Sequence, residues 1–167
     1  MSKIYRFQTV QKIPVSLQQA WDFFSNPANL SAITPPKMDF QIVSLFHGER
    51  MYPGQIIEYR VKPVAGIPLY WMTEITHVEK EKYFVDEQRF GPYSLWHHQH
   101  HFQAIKGGVE MTDIVHYKIP FGIIGDLGNY LFVNKELKKI FNYRYQAVEE
   151  RFGSFPIHQP VTDENLK

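Results

Sequence analysis

The sequence predicts an α+β domain. A curved antiparallel sheet of about seven strands wraps around one long C-terminal helix, with two short helices after the first strand and an internal cavity between the layers. Three observations carry this expectation. One strand-like segment opens the chain, six more follow in succession between turn signals, and a single long amphipathic segment closes it. The stretch Trp96-His97-His98-Gln99-His100-His101-Phe102, if extended, puts Trp96, His98, His100 and Phe102 on one face and His97, Gln99 and His101 on the other. An interior imidazole needs hydrogen-bond partners to offset its desolvation, so the first face reads as a pocket wall rather than plain core. Thirteen Phe, ten Tyr and three Trp supply enough ring area to line a cavity or to fill an ordinary aromatic core.

Residues 4–15 alternate as a first strand, which Pro14 closes. Ser16 is placed to cap a short helix over Leu17–Phe24, with Leu17, Ala20, Trp21 and Phe24 at core spacing and a stop at Ser25-Asn26-Pro27. A second short helix starts at Pro27 and ends at Pro35-Pro36. Strand signals then cover residues 39–46, 55–62, 68–78, 83–90, 95–106 and 109–119, separated by Gly- and Pro-bearing turns and by residues 79–82. Lys106-Gly107-Gly108-Val109 reads as a two-residue Gly-Gly hairpin. That turn sets Phe102 opposite Asp113, His100 opposite Val115 and His98 opposite Tyr117, with His98, His100 and Asp113 inward and His97, His101 and His116 outward. Asp126 is the candidate N-cap of a helix over residues 127–152, with Leu137, Phe141, Tyr145 and Val148 on its apolar face and Gly153 as C-cap. The chain divides into a domain of residues 1–153 and a flexible C-terminal tail of residues 154–167.

A chain of 167 residues, 44% hydrophobic and 21% charged, fits one globular domain with a substantial core. A net charge of +1 without a basic stripe excludes a nucleic-acid footprint. The absence of cysteine excludes disulfides and thiolate metal sites, and fits a reducing compartment. No apolar run is long enough for a membrane span, and Met1-Ser2-Lys3-Ile4 begins no secretory signal, so a cytoplasmic protein without integral membrane association is expected. No nucleophile elbow, phosphate loop or dinucleotide fingerprint occurs, so no cofactor is expected. A homodimer is compatible with the composition.

The combination of Trp71-x-Thr73-Glu74-Ile75, Phe84-x-Asp86-x-Gln88, Gly91-Pro92-Tyr93, Trp96-x-His98-x-His100-x-Phe102, Met111-x-Asp113-x-Val115-x-Tyr117 and Pro120-Phe121-Gly122 resembles the START-like or Bet v 1-like superfamily. Within it, the chain is similar to the bacterial SRPBCC group described as polyketide cyclase/dehydrase-like. The likeness covers roughly residues 3–153. It implies the helix-grip fold and a metal-free pocket. Because that superfamily hosts lipid carriers, hormone receptors, cyclases and oxygenase subunits, the resemblance selects no reaction.

His98 and His100 are open to three readings: ligand contact, acid–base chemistry, or a satisfied structural role. Asp113 and Asp86 either orient those imidazoles for chemistry or keep them paired in a core. The His-x-His spacing with Asp113 as third ligand raises metal binding, which the resemblance opposes, so no metal is assigned. Gln88, Tyr117, Tyr59, Trp96, Phe102 and Trp71 complete the candidate ligand-binding set, with Phe84, Phe90 and Phe121 as further apolar lining. Residues 63–68 and 121–125 are apolar Gly-containing loops placed to gate a pocket mouth or to form a contact patch. The favoured function is a non-catalytic binding or carrier protein for a small apolar or amphipathic ligand with a polar or acidic head group. The alternative is a cyclase- or dehydratase-type enzyme using a His-Asp pair for proton transfer on a carbonyl substrate. A scaffold with a vestigial cavity is the third reading.

Overall fold

The computed structural model describes residues 3–44, 50–62, 67–120 and 132–155. Strand β1, Tyr5–Ile13, leads into helix α1, Leu17–Phe24. Ser16 caps α1 through a capping box: its hydroxyl accepts from the Gln19 amide at 3.2 Å, and Gln19 Oε1 accepts from the Ser16 amide at 3.0 Å. The second short helix is a 3₁₀ segment, Pro27–Ile33, opened by the Asn26 side chain accepting from the Ala28 amide. A further 3₁₀ turn, Pro36–Met38, ends at Asp39, whose φ of 44° is left-handed. The strand expected from residue 39 therefore begins later, as the two-residue β2, Gln41–Ile42. Five longer strands follow: β3 Gln55–Val61, β4 Leu69–Glu79, β5 Tyr83–Phe90, β6 Leu95–Ile105 and β7 Gly108–Lys118. Their order is β1-β7-β6-β5-β4-β3-β2, and every neighbouring pair is antiparallel.

Helix α2, Asn134–Phe152, is preceded by a π-helical turn at Phe132-Val133 and spans about 28 Å. Gly153 ends it at a φ of 92°, its amide donating to the Glu149 carbonyl. The expected cap at Asp126, the helix start over residues 127–131, the gating loops at residues 63–66 and 121–125, Phe46, His47, Gly48, Glu49 and Phe121 lie outside the described residues. So do residues 156–167 of the expected tail, but Phe155 is described and its ring lies within van der Waals reach of Gly107 and Gly108.

At one end of the sheet Trp21 of α1 meets the rings of Phe102 and Phe84 edge-on, at 5.5 and 6.1 Å, within a group that includes Ile13, Val109 and Val148. Under α2, Leu137 and Phe141 pack on Phe7, Val115 and Tyr117. Ile57, Tyr59 and Ile75 form a third group on β3 and β4. These three groups leave an unfilled space between sheet, α2 and the 3₁₀ segments.

Two local registers differ from the sequence expectation. The β6–β7 hairpin turns on Lys106-Gly107, with Ile105 opposite Gly108, so Phe102 faces Met111, His100 faces Asp113 and His98 faces Val115. Gly107 carries the positive φ of 85° that the turn requires. Gly108 is already in β7 and has a different reason to be glycine: a Cβ there would stand 2.1 Å from the Ile13 carbonyl oxygen of β1. Because the hairpin slips by two residues, each side chain keeps its expected face but meets a different partner. The second difference is in β5. Met72 pairs with Phe90 but Thr73 with Gln88, so Arg89 is an extra residue in the ladder and the alternation inverts at its end. Phe90, expected as pocket lining, is instead 59% exposed on the outer surface, where it packs against Tyr70.

Gly108→Ala should therefore cost about 2 kcal/mol or more, since the clash is with backbone and the edge strand β1 must shift to relieve it. Urea unfolding midpoints of the two proteins would measure this; equal midpoints would show that β1 yields without penalty. Among the described residues, no helix is long and apolar enough to cross a membrane.

Candidate ligand pocket and its histidine–carboxylate wall

The concave face of the sheet, α2 and the 3₁₀ segments surround a pocket of about 190 Å³. For scale, an engineered apolar cavity of about 150 Å³ admits benzene. Most of the lining is hydrocarbon and ring surface, with Phe24, Leu30, Ile33, Trp71, Phe84 and Phe141 as typical members. Asn26, Asn29 and Thr34 also reach it, but each side chain is engaged with nearby backbone. The charged groups gather on one wall: Asp86 from β5, His98 and His100 from β6, and Arg144 from α2.

Alternation along β6 points His98 and His100 inward together, and their rings lie 3.8 Å apart. A carboxylate stands at each end of this imidazole pair. Asp113 Oδ1, on β7 behind the pocket surface, is 3.0 Å from His98 Nε2 and 2.8 Å from His100 Nδ1. Asp86 Oδ2, on the pocket side, is 2.8 Å from His100 Nε2 and 3.4 Å from His98 Nδ1. The contacts His98–Asp113 and His100–Asp86 have hydrogen-bond geometry. His100 Nδ1 lies close to Asp113 but off the line a hydrogen bond needs, so that contact is ionic rather than directional. Phe84 stacks on the other face of His100 at 4.1 Å and fixes the plane of its ring. Arg144 reaches from α2 between the rings of Phe24 and Phe141, and its Nη1 comes to 3.8 Å from Asp113 Oδ1.

Burial and charge pull the titrations apart. Burial favours neutral His98, and the adjacent His100 cation adds to that, so the His98 pKa falls below its ordinary value despite both carboxylates. At His100 burial also favours the neutral form, but contacts with Asp113 and Asp86 outweigh it and the pKa rises. Burial opposes ionisation of Asp113, yet the Arg144 guanidinium together with His100 and His98 holds its pKa well below the carboxylate range. Asp86 is lowered too, against burial, by the same two imidazoles and Arg144. Beside this wall, burial and the Asp86 charge push the Tyr59 hydroxyl up, and Thr73 accepts from Trp71 Nε1 at 3.1 Å.

Stability follows from the Asp113 shift. Its folded-state pKa lies below the unfolded value of about 3.9, so the ionised group stabilises the fold above that pH, and the contribution is lost as pH falls through the depressed folded value. Acid unfolding followed by circular dichroism should show a shallower loss below about pH 4 in Asp113→Asn than in the parent. Parallel acid limbs would contradict this role.

Comparison with known proteins gives likeness of fold. No protein-family model matches the chain, and no curated protein matches it. Among solved structures, major latex-like protein 151 from Panax ginseng superimposes with a TM-score of 0.66 at 12% identity, over 89% of this chain and 97% of that one. Ara h 8.0201 gives 0.60 at 14% identity, over 89% and 99% of the two chains. The fold is Bet v 1-like. TTHA0849 from Thermus thermophilus also superimposes on this chain, with a TM-score of 0.66 at 15% identity over 89% of this chain and 97% of that one.

Within this Bet v 1-like frame, the pocket brings together Asp86, His98, His100, Tyr59, Trp71 and Trp96 of the expected set. Asp113 stands behind the histidines as their brace. Three further expected residues do not line the pocket. Gln88 is held by the Tyr93 backbone, donating to its carbonyl at 2.6 Å and accepting from its amide at 3.2 Å, and so shapes the Gly91-Pro92 turn. Tyr117 is buried against Tyr5, Tyr93 and Trp96. Phe102 packs on Trp21 and Phe24 in the core. Arg144 was absent from the expected set; its signal was a basic residue three positions after Phe141 and seven after Leu137, within the helix's apolar stripe. On the outer sheet face, Glu87, His97, Gln99 and His101 form a hydrogen-bonded row.

Proposed function

We propose that this protein binds a small, mainly apolar molecule carrying an acidic head group. The observation that carries this reading is the division of the pocket into a broad aromatic lining and one charged wall on which Arg144 is the pocket-facing cation. Among the described residues the guanidinium makes one ion pair, a long 3.8 Å contact with Asp113, so a carboxylate or phenolate entering the pocket finds a largely buried donor fork. An anionic head group beside His98 would raise its lowered pKa and favour the protonated imidazole, offsetting the charge brought in. The apolar part of such a ligand would rest between Trp71, Trp96 and Phe141.

Native mass spectrometry of the freshly purified chain, followed by denaturing extraction, tests the proposal. A co-purifying or added aryl or alkyl acid held one to one, and released by His98→Phe/His100→Phe in a protein that still melts cooperatively, is the expected result. Failure of every acid to bind, with binding of neutral analogues alone, would refute the acidic head group.

The second reading is acid–base catalysis on a carbonyl compound. It draws on the opposite pKa shifts of two adjacent imidazoles, lowered at His98 by burial and raised at His100 by its two carboxylates, which separate the pair into a weaker and a stronger base. Turnover of a carbonyl substrate with a pH profile abolished by His100→Gln is its expected signature; absence of turnover with intact acid binding would decide for the carrier.

A further inference from the structure

We propose that Asp86, His98 and His100 form a binding site for a divalent transition-metal ion, zinc being the best match, on the charged wall of the pocket. One donor atom from each of these three residues lies within 4.8 Å of the other two, and Asp86 Oδ2 stands close to both His98 Nδ1 and His100 Nε2. Tetrahedral zinc with bonds of about 2.0–2.1 Å needs its donor atoms roughly 3.3 Å apart. The separations from Asp86 are 3.4 Å to His98 and 2.8 Å to His100, so small side-chain rotations suffice to seat an ion among the three.

The ring nitrogens not offered to this point make the case more than proximity. His98 presents Nε2 to Asp113, and His100 presents Nδ1 to the same carboxylate, leaving His98 Nδ1 and His100 Nε2 turned towards Asp86. One carboxylate thus braces both imidazoles from behind while a second faces their other nitrogens, the carboxylate–histidine–metal order found in protein metal centres; the ion would displace the proton that His100 Nε2 now donates to Asp86, leaving Nδ1–H towards Asp113. The His98 Nδ1–Asp86 contact has no hydrogen-bond geometry, and with Nε2 donating to Asp113 it sets a lone pair against a carboxylate oxygen. A cation placed there turns that repulsive contact into two bonds. All three donors line the pocket, so the fourth position opens onto it and takes water or an anionic ligand group. The donor set of two imidazoles and one carboxylate suits zinc, cobalt or iron, and is too nitrogen-rich for calcium or magnesium.

The sequence had suggested Asp113 as the third ligand. The hairpin register makes Asp113 the brace and β5 pairing supplies Asp86 instead, opposite His98. The outer histidines are a separate population: His97 and His101 are tied into the row with Glu87 and Gln99, and His116 lies beside His97 with ring centroids 6.2 Å apart.

The test is titration of chelator-treated full-length protein with zinc chloride by calorimetry, and with cobalt chloride by visible absorption. One equivalent should bind, and the cobalt protein should show the intense d–d bands of a four-coordinate site. Asp86→Asn, which keeps shape, should remove stoichiometric binding, and Asp113→Asn should weaken it about 10–100-fold. The combined variant His97→Gln/His101→Gln/His116→Gln should bind as the parent does. Circular dichroism of each variant separates loss of the site from loss of the fold. No binding by the parent protein overturns the proposal. Unchanged binding in Asp86→Asn, or loss in the outer-histidine variant, also overturns it and indicates an adventitious surface ion only.

Discussion

Asp113→Ala is expected to lower stability by about 3–5 kcal/mol, the usual range when one member of a buried charged set is removed. Asp113 is the point at which three side chains from two elements meet: His98 and His100 of β6 and Arg144 of α2. Deleting it leaves the partly buried Arg144 guanidinium without its carboxylate and the buried His98 Nε2 without its acceptor. Relief comes in part at His100: losing Asp113 removes one of the contacts that raise its pKa and favours the neutral ring, so the lower half of the range is expected. For a chain of this length the change corresponds to a melting temperature lower by roughly 10 °C, readable by calorimetry. A drop below about 2 °C would mean that water or the neighbouring acid Asp86 replaces Asp113 without loss.

Arg144→Met is expected to act on binding more than on folding. Methionine keeps an unbranched apolar stem against Phe24 and Phe141 but removes the cation from the pocket. Loss of one partner in a desolvated charged contact costs about 2–5 kcal/mol, so affinity for a small aryl carboxylic acid should fall at least roughly 30-fold. The methyl ester of the same acid should bind parent and variant within a factor of about 3, since it makes no ionic contact; this estimate allows for modest repacking of the mouth. Calorimetric titration with the acid and its ester separates the two outcomes. Equal losses for both would place Arg144 in the packing of the pocket rather than in head-group recognition.

The succession of strands and helices along the chain, the faces of β6 and β7 and both ends of α1 were legible because each rests on short-range rules. Alternation alone sends His98 and His100 to one side, and Ser16 with Gln19 spells a capping box. What failed depended on contacts between distant segments. Choosing Gly107-Gly108 as the turn was locally reasonable, but Gly108 answers to the Ile13 carbonyl of a strand far away in the sequence. Phe90 obeys perfect alternation on paper, and an extra residue at Arg89 reverses it. Gln88 is inward-facing as expected, yet its amide closes on the Tyr93 backbone, a choice made by the fold of the next turn. Arg144 was passed over because a helix wheel ranks residues by apolarity, whereas its importance comes from the carboxylates that the sheet delivers beneath it.

The two tryptophans of the pocket have a practical consequence. Trp71 and Trp96 stand edge to face with ring centroids 5.3 Å apart, and Trp96 is 6.1 Å from the ring of His98. Trp21 sits apart, packed in the core with Phe84 and Phe102, and supplies a steady background. The emission of this protein is therefore divided between one silent indole and two that look onto the binding space. Filling the pocket changes their solvent, and a protonated imidazole beside Trp96 draws down its fluorescence, so occupancy and charge state both register as light without any label attached.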